Sequence, residues 1–148
     1  MSDTVFKFFP LDPRRKLGDE ELSGIREFLV NENGSSIDCE SIAVHDYGGI
    51  RFIDCGLNFE RVRCPKCGSD FDIAIWQDAM NTDYSKENGF ELLEAITCTC
   101  KFSAKLHALD YQAPCSFASM CLTVSVVSHL WTGWLNHFPW IGVVEARY

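Results

Sequence analysis

Apolar residues recur along this chain with two different periods, and the changes between them mark out its elements. Leu22, Ile25, Phe28 and Leu29 keep helical spacing behind Asp19, Glu20 and Glu21, where a helix dipole favours acids. This predicts a helix over 19–31, capped by Asp19 and ended by Asn33-Gly34. The preceding aromatic stretch contains Pro10 and Pro13, which hold it extended. From Ser41 the pattern turns to β: residues 42–44, a break at Gly48-Gly49, then 50–53 and 57–62, expected as two or three short strands. Phe71, Ile73 and Ile75 alternate like a strand, whereas Ile73, Trp76 and Met80 fall at helical spacing. A helix over 72–80 is preferred, with Asp70 as its cap and 81–89 as a polar loop.

Residues 90–97 and 104–111 read as the two arms of a β-hairpin, and 116–127 as a longer strand rich in β-branched residues toward its end. Leu130, Trp131, Trp134, Leu135 and Phe138 then form a helical apolar face, with Trp131, Trp134 and Trp140 packing it onto the sheet. Pro139 stops this helix, and 141–148 closes the chain as a strand. The order predicts one α+β domain over 1–148, built on an antiparallel sheet with flanking helices. At 148 residues and 47% apolar content, the chain is long enough to bury a core as one domain.

Charge changes the picture in one respect. Residues 1–100 hold 10 basic and 19 acidic side chains, a net of −9, and residues 101–148 hold three and two, a net of +1. An acidic chain is repelled by phosphate at long range, so a nucleic-acid partner is not expected and a basic protein is. Met1-Ser2-Asp3-Thr4 does not resemble a leader, and the longest apolar stretch, 117–127, is too short to span a bilayer. The expected location is the cytoplasm, where closely spaced cysteines mark metal more often than disulfides.

The chemistry is concentrated at Cys64-Pro65-Lys66-Cys67-Gly68. Two thiols separated by two residues in a tight turn aim at one ion, and the trailing glycine permits the turn. A closed structural site takes four ligands, and Cys98-Thr99-Cys100 offers the second pair, since residues two apart on a strand project to one face. Cys64, Cys67, Cys98 and Cys100 are therefore the expected ligands of a zinc-ribbon-like element over about 60–104, with Zn2+ as the expected ion. The 30 residues between Cys67 and Cys98 make this ribbon an interrupted one. Cys55, Cys115 or His107 is able to replace one ligand. Arg61, Arg63 and Lys66 surround the first pair; they are read as cations offsetting the thiolate charge, and in an alternative reading they contact nucleic acid. Arg14-Arg15-Lys16 is read as a solvated loop, and Cys39 and Cys121 as small core residues.

The run from Asp54 to Gly68, with its Asn58-Phe59-Glu60-Arg61-Val62 segment before the Cys-Pro-x-Cys turn, resembles a motif of a group of uncharacterised bacterial zinc-ribbon-like proteins. The resemblance covers residues 50–148 and implies a shared fold and a metal site on Cys64, Cys67, Cys98 and Cys100. The chain departs from that pattern in having Cys98-Thr99-Cys100 where adjacent cysteines are expected. No histidine lies at metal spacing, and no hydrolase, phosphate-loop or dinucleotide motif is present. The expected function is a zinc-stabilised, non-enzymatic binding protein of neutralising (immunity-like) or adaptor type. A nucleic-acid-binding zinc ribbon, and a redox dithiol or metal-dependent enzyme, are the alternatives.

Overall fold

The computed structural model describes residues 4–127 and 129–148; Met1, Ser2 and Asp3, read above for a leader, lie outside them. Along the chain run β1 (Thr4–Pro10), α1 (Asp19–Asn33), β2 (Ala43–Ile53), β3 (Arg61–Arg63), α2 (Ile73–Asp83), β4 (Tyr84–Ser85) and β5 (Gly89–Phe90). There follow β6 (Ala95–Thr97), β7 (Ser103–Lys105), β8 (Asp110–Gln112), β9 (Ser116–Ser125) and β10 (Ile141–Arg147), with short 3-10 turns at Cys39–Ser41, Leu106–Ala108 and Gly133–His137. Six strands form one sheet in the order β10-β1-β9-β2-β5-β4, antiparallel except where β2 meets β5. The α+β class expected from the periodicities is the class observed.

Alternation along the central strands explains how the sheet buries both faces. Phe8, Leu122, Val124 and Ile141 face Ile25 and Leu29 of α1 and Trp134 of the last 3-10 turn. Phe9, Ile53, Cys55, Cys121 and Val144 form a second cluster. Each large side chain so buried contributes about 1.5–3 kcal/mol. After β2 the chain turns back over β10: Leu57 N donates to Arg147 O at 2.7 Å, and Arg147 N donates to Cys55 O at 3.2 Å. Gly56 is required there, because its φ is +59° and a Cβ would stand 2.3 Å from Arg147 O. The end of an otherwise open sheet edge is thereby covered.

The metal-ligand candidates lie on an excursion between β2 and β9. These strands pair as far as Ile53 opposite Ser116, and after a short gap β3 and β8 resume the ladder with Arg61 opposite Gln112. Beyond that neck, Val62, Trp76, Leu106 and Tyr111 pack with Phe117 of β9 into a third cluster that includes α2.

Several local expectations are corrected. Gly18, not Asp19, is the N-cap of α1, with Glu21 Oε1 accepting from Gly18 N at 3.0 Å, so Asp19 occupies the first helical position. Asp72, not Asp70, caps α2 by accepting from Ala74 N, and the helix continues to Asp83, leaving β4 and β5 in the supposed loop. The two hairpin arms are shorter than expected, reduced to β6 and β7, and of 57–62 only the end is strand. The last helix is only the 3-10 turn Gly133–His137: Asn33 Nδ2 donates to Trp131 O at 2.9 Å and Trp131 N donates to Asn33 Oδ1 at 2.7 Å, which removes Trp131 O from any helical bond. Trp134 is buried, but Trp131 is 51% exposed. Cys39 is exposed, unlike the buried Cys121. The basic run is exposed, as expected, and it also makes surface contacts: Arg14 donates to Glu91 O, Arg15 pairs with Glu21 and stacks on Trp140, and Lys16 reaches Asp46.

Candidate metal centre

Two chain reversals of unequal length build the site. In the first, Cys64 N donates to Ser69 O at 2.8 Å and Gly68 N to Cys64 O at 2.9 Å, with Gly68 at φ +77°. In the second, between β6 and β7, Cys98 N donates to Phe102 O and Lys101 N to Cys98 O, each at 2.8 Å. Lys101, at φ +72°, takes the left-handed position that Gly68 holds in the first turn. The second turn closes one residue earlier, which is why its cysteines are separated by one residue and not two.

The turns meet with their thiols facing. Cys64 Sγ lies 3.8 Å from Cys100 Sγ, and Cys67 Sγ lies 3.4 Å from Cys98 Sγ. All four sulfurs are within 4.8 Å of one another. A tetrahedral ion with thiolate bonds of about 2.3 Å spaces its ligands about 3.8 Å apart, so the cluster fits a metal with small adjustments. Cys64 and Cys98 are buried while Cys67 and Cys100 are exposed.

The turns also set the charge state of the four thiols. The Ser69 hydroxyl and amide, aided by Cys98, lower the Cys67 thiol to about 6, and the Cys67 and Lys66 amides act on Cys64 in the same direction. At Cys100 the Phe102 amide is outweighed by desolvation and by the three other sulfurs, which push it up to about 11. Without an ion, the fourth thiolate is electrostatically unfavourable; a cation removes that repulsion.

The structure thus brings together all four cysteines expected as ligands. Cys55 and Cys115 lie outside the cluster, adjacent to each other, and His107 sits in the turn Leu106–Ala108. The neighbouring cations are largely committed. Arg63 donates twice to Asp110 Oδ2, at 3.1 and 2.7 Å, Arg61 pairs with Asp70 at 3.9 Å, and Lys66 stands over the Phe102 ring. Of the other histidines, His45 contacts Thr123 and His137 stacks on Phe28.

Two polar constellations escaped the sequence reading. Asp83 accepts from four successive amides, Glu91, Leu92, Leu93 and Glu94, at 2.7–3.0 Å. Its desolvation is outweighed by these donors, so its carboxyl is held below the usual range. An acid at the carboxyl end of a helix, against the dipole, was the available signal. Lys7 joins Asp54 and Tyr148, from three distant parts of the chain, and no local pattern announces it. A cleft of about 440 Å³, lined by Arg14, Lys16, Gly48, Gly49, Asn88 and Ser119 among others, includes none of the four clustered cysteines. Compared with known proteins, the chain matches no family model, no curated protein and no solved structure.

Proposed function

We propose that this chain is a non-enzymatic, zinc-stabilised binding protein that meets a basic protein partner, as a neutralising or adaptor module does, in a reducing compartment such as the cytoplasm. The observation that carries this reading is the convergence of four thiols from two turns within 4.8 Å. Four thiolates in tetrahedral array favour zinc over harder cations and leave no coordination position for a reacting water. The ion's role is then to hold the turns together, because binding energy at such a site is folding energy. The pairing of Cys64 with Cys100 and of Cys67 with Cys98, across the turns, supports shared ligation over a dithiol acting within one turn.

The carboxylates available for a partner are fewer than the sequence offers. Among Asp19, Glu20, Glu21, Glu27, Glu32, Asp38, Glu40 and Asp46, Glu21 and Asp46 are ion-paired and Asp38 caps the turn at Cys39. Asp19, Glu20, Glu27, Glu32 and Glu40 remain exposed and outside the ion pairs of the described residues.

Elemental analysis of protein purified without chelator should give about one zinc per chain, and Cys64→Ser should lose the metal and lower Tm strongly. Metal-free protein, or a Cys64→Ser variant that keeps both metal and Tm, defeats the reading. Submicromolar RNA or DNA binding at physiological salt, lost in Arg61→Ala/Arg63→Ala, would transfer it to a nucleic-acid module.

A further inference from the structure

Outside the metal cluster, a second pair of thiols meets at the neck of the excursion. Cys55 Sγ and Cys115 Sγ are 3.1 Å apart, 60 residues distant in sequence, and both sulfurs approach Ala113 O, at 3.8 and 3.6 Å. Cys55 follows the last paired residue of β2 and Cys115 immediately precedes Ser116, the first residue of β9, which faces Ile53. All four metal-ligand candidates fall between the two cysteines. Cys55 is wholly buried, whereas Cys115 is partly exposed, so Cys115 is the member of the pair nearer to solvent and its partner is already in place.

We propose that Cys55 and Cys115 are a modification site: a peroxide oxidises them to a disulfide that staples the neck of the metal-bearing excursion, independently of the metal. The chemistry balances within the pair. The Cys115 sulfur, having given up its proton, attacks one peroxide oxygen; an S–O bond forms, the O–O bond breaks, and hydroxide leaves and takes up a proton to become water. The Cys55 sulfur then displaces the new hydroxyl group: the S–S bond forms, the S–O bond breaks, and the Cys55 proton leaves with the hydroxyl as a second water. Two electrons pass from the thiols to one hydrogen peroxide. The sulfurs need approach only from 3.1 Å to about 2.05 Å, a movement within the reach of two side chains. Burial, with Cys55 and Asp54 alongside, holds the Cys115 thiol well above its ordinary range, so oxidation is slower than at an activated cysteine. The crosslink closes a long loop, which restricts the unfolded chain and raises stability.

The test uses purified, zinc-loaded protein, treated with a modest excess of hydrogen peroxide, unfolded in an alkylating agent and mapped by mass spectrometry. The expected result is a linked peptide joining Cys55 to Cys115, with the other six cysteines alkylated, zinc retained, and Tm raised by several degrees. Cys115→Ser should lose the linked peptide and the Tm rise while matching the untreated wild type in zinc content. Cys55→Ala provides the same comparison from the buried side. Full alkylation of both cysteines after peroxide, or a linked peptide that instead joins cysteines of the metal cluster, overturns the proposal.

Discussion

Asp83 shows how much one side chain organises. Its two oxygens hold the amides of Glu91 through Glu94, and Leu92 within that segment adopts a φ of +59°, which a non-glycine residue keeps only when surrounding bonds impose it. Asp83→Ala should cost roughly 2–4 kcal/mol, since charge-assisted bonds to several donors are lost together. Asp83→Asn, with one accepting oxygen, should fall between. The depressed carboxyl pKa also sets the pH dependence: its contribution is complete above the unfolded value of about 3.9 and is lost as pH falls through the folded value. Urea unfolding of wild type and Asp83→Asn should therefore show a stability gap that is constant near neutrality and narrows below about pH 4. A gap independent of pH would mean that the carboxylate charge is not what holds the segment.

At the scale of elements, the two cysteine turns are one device built twice with different corners. Gly68 adopts its left-handed φ at no side-chain cost, whereas Lys101 pays the steric penalty of a Cβ there. Lys101→Gly should stabilise the folded protein by about 0.5–1 kcal/mol, and Gly68→Ala should destabilise it by about 1 kcal/mol, both read from denaturant midpoints with zinc in excess. Responses of the same sign at the two positions would show that the corners are not equivalent. The second cysteine pair was expected from strand spacing, whereas Cys98 and Cys100 lie in the turn that follows β6; the first turn was legible in the sequence because thiol spacing and turn geometry are local. α1 was legible for the same reason, its apolar spacing surviving even though Gly18 replaced Asp19 as cap. The last helix was not: its apolar spacing is helical, but the Asn33 amide, 98 residues from Trp131, donates to the Trp131 carbonyl, and Leu135 N donates to Thr132 O instead, closing a 3-10 turn. The pairings of β2 with β9 and of β3 with β8 that bring the neck cysteines together are equally non-local, so the gathering of four cysteines could be read while the neck that carries them could not.

For the whole molecule, the charge split and the architecture point to the same division of labour. Residues 101–148 supply β9 and β10, whose buried side chains fill the cores on the sheet, and carry a net charge of only +1. Most of the exposed carboxylates lie before residue 101; those free of ion pairs near the amino end include Asp19, Glu20, Glu27 and Glu32 on α1 and Glu40 on the turn after it. On the proposed reading, charges so placed would act on a basic partner mainly by steering encounter, an effect screened beyond a Debye length of about 8 Å at physiological salt. Converting these five residues to Asn or Gln should lower Tm only modestly: Asp19 and Glu20 lose their favourable place at the amino end of α1, but none of the five joins an ion pair among the described residues. The same variant should lose most of the partner captured from the native host at low salt, and the wild type should show a comparable loss when salt is raised. Trp131→Ala is the contrasting variant, since Trp131 is exposed whereas Trp134 is a core residue whose change would unfold the chain. If capture survives neutralisation and salt but disappears in Trp131→Ala, the interface lies on the aromatic carboxyl-terminal face, and the acidic residues serve solubility alone.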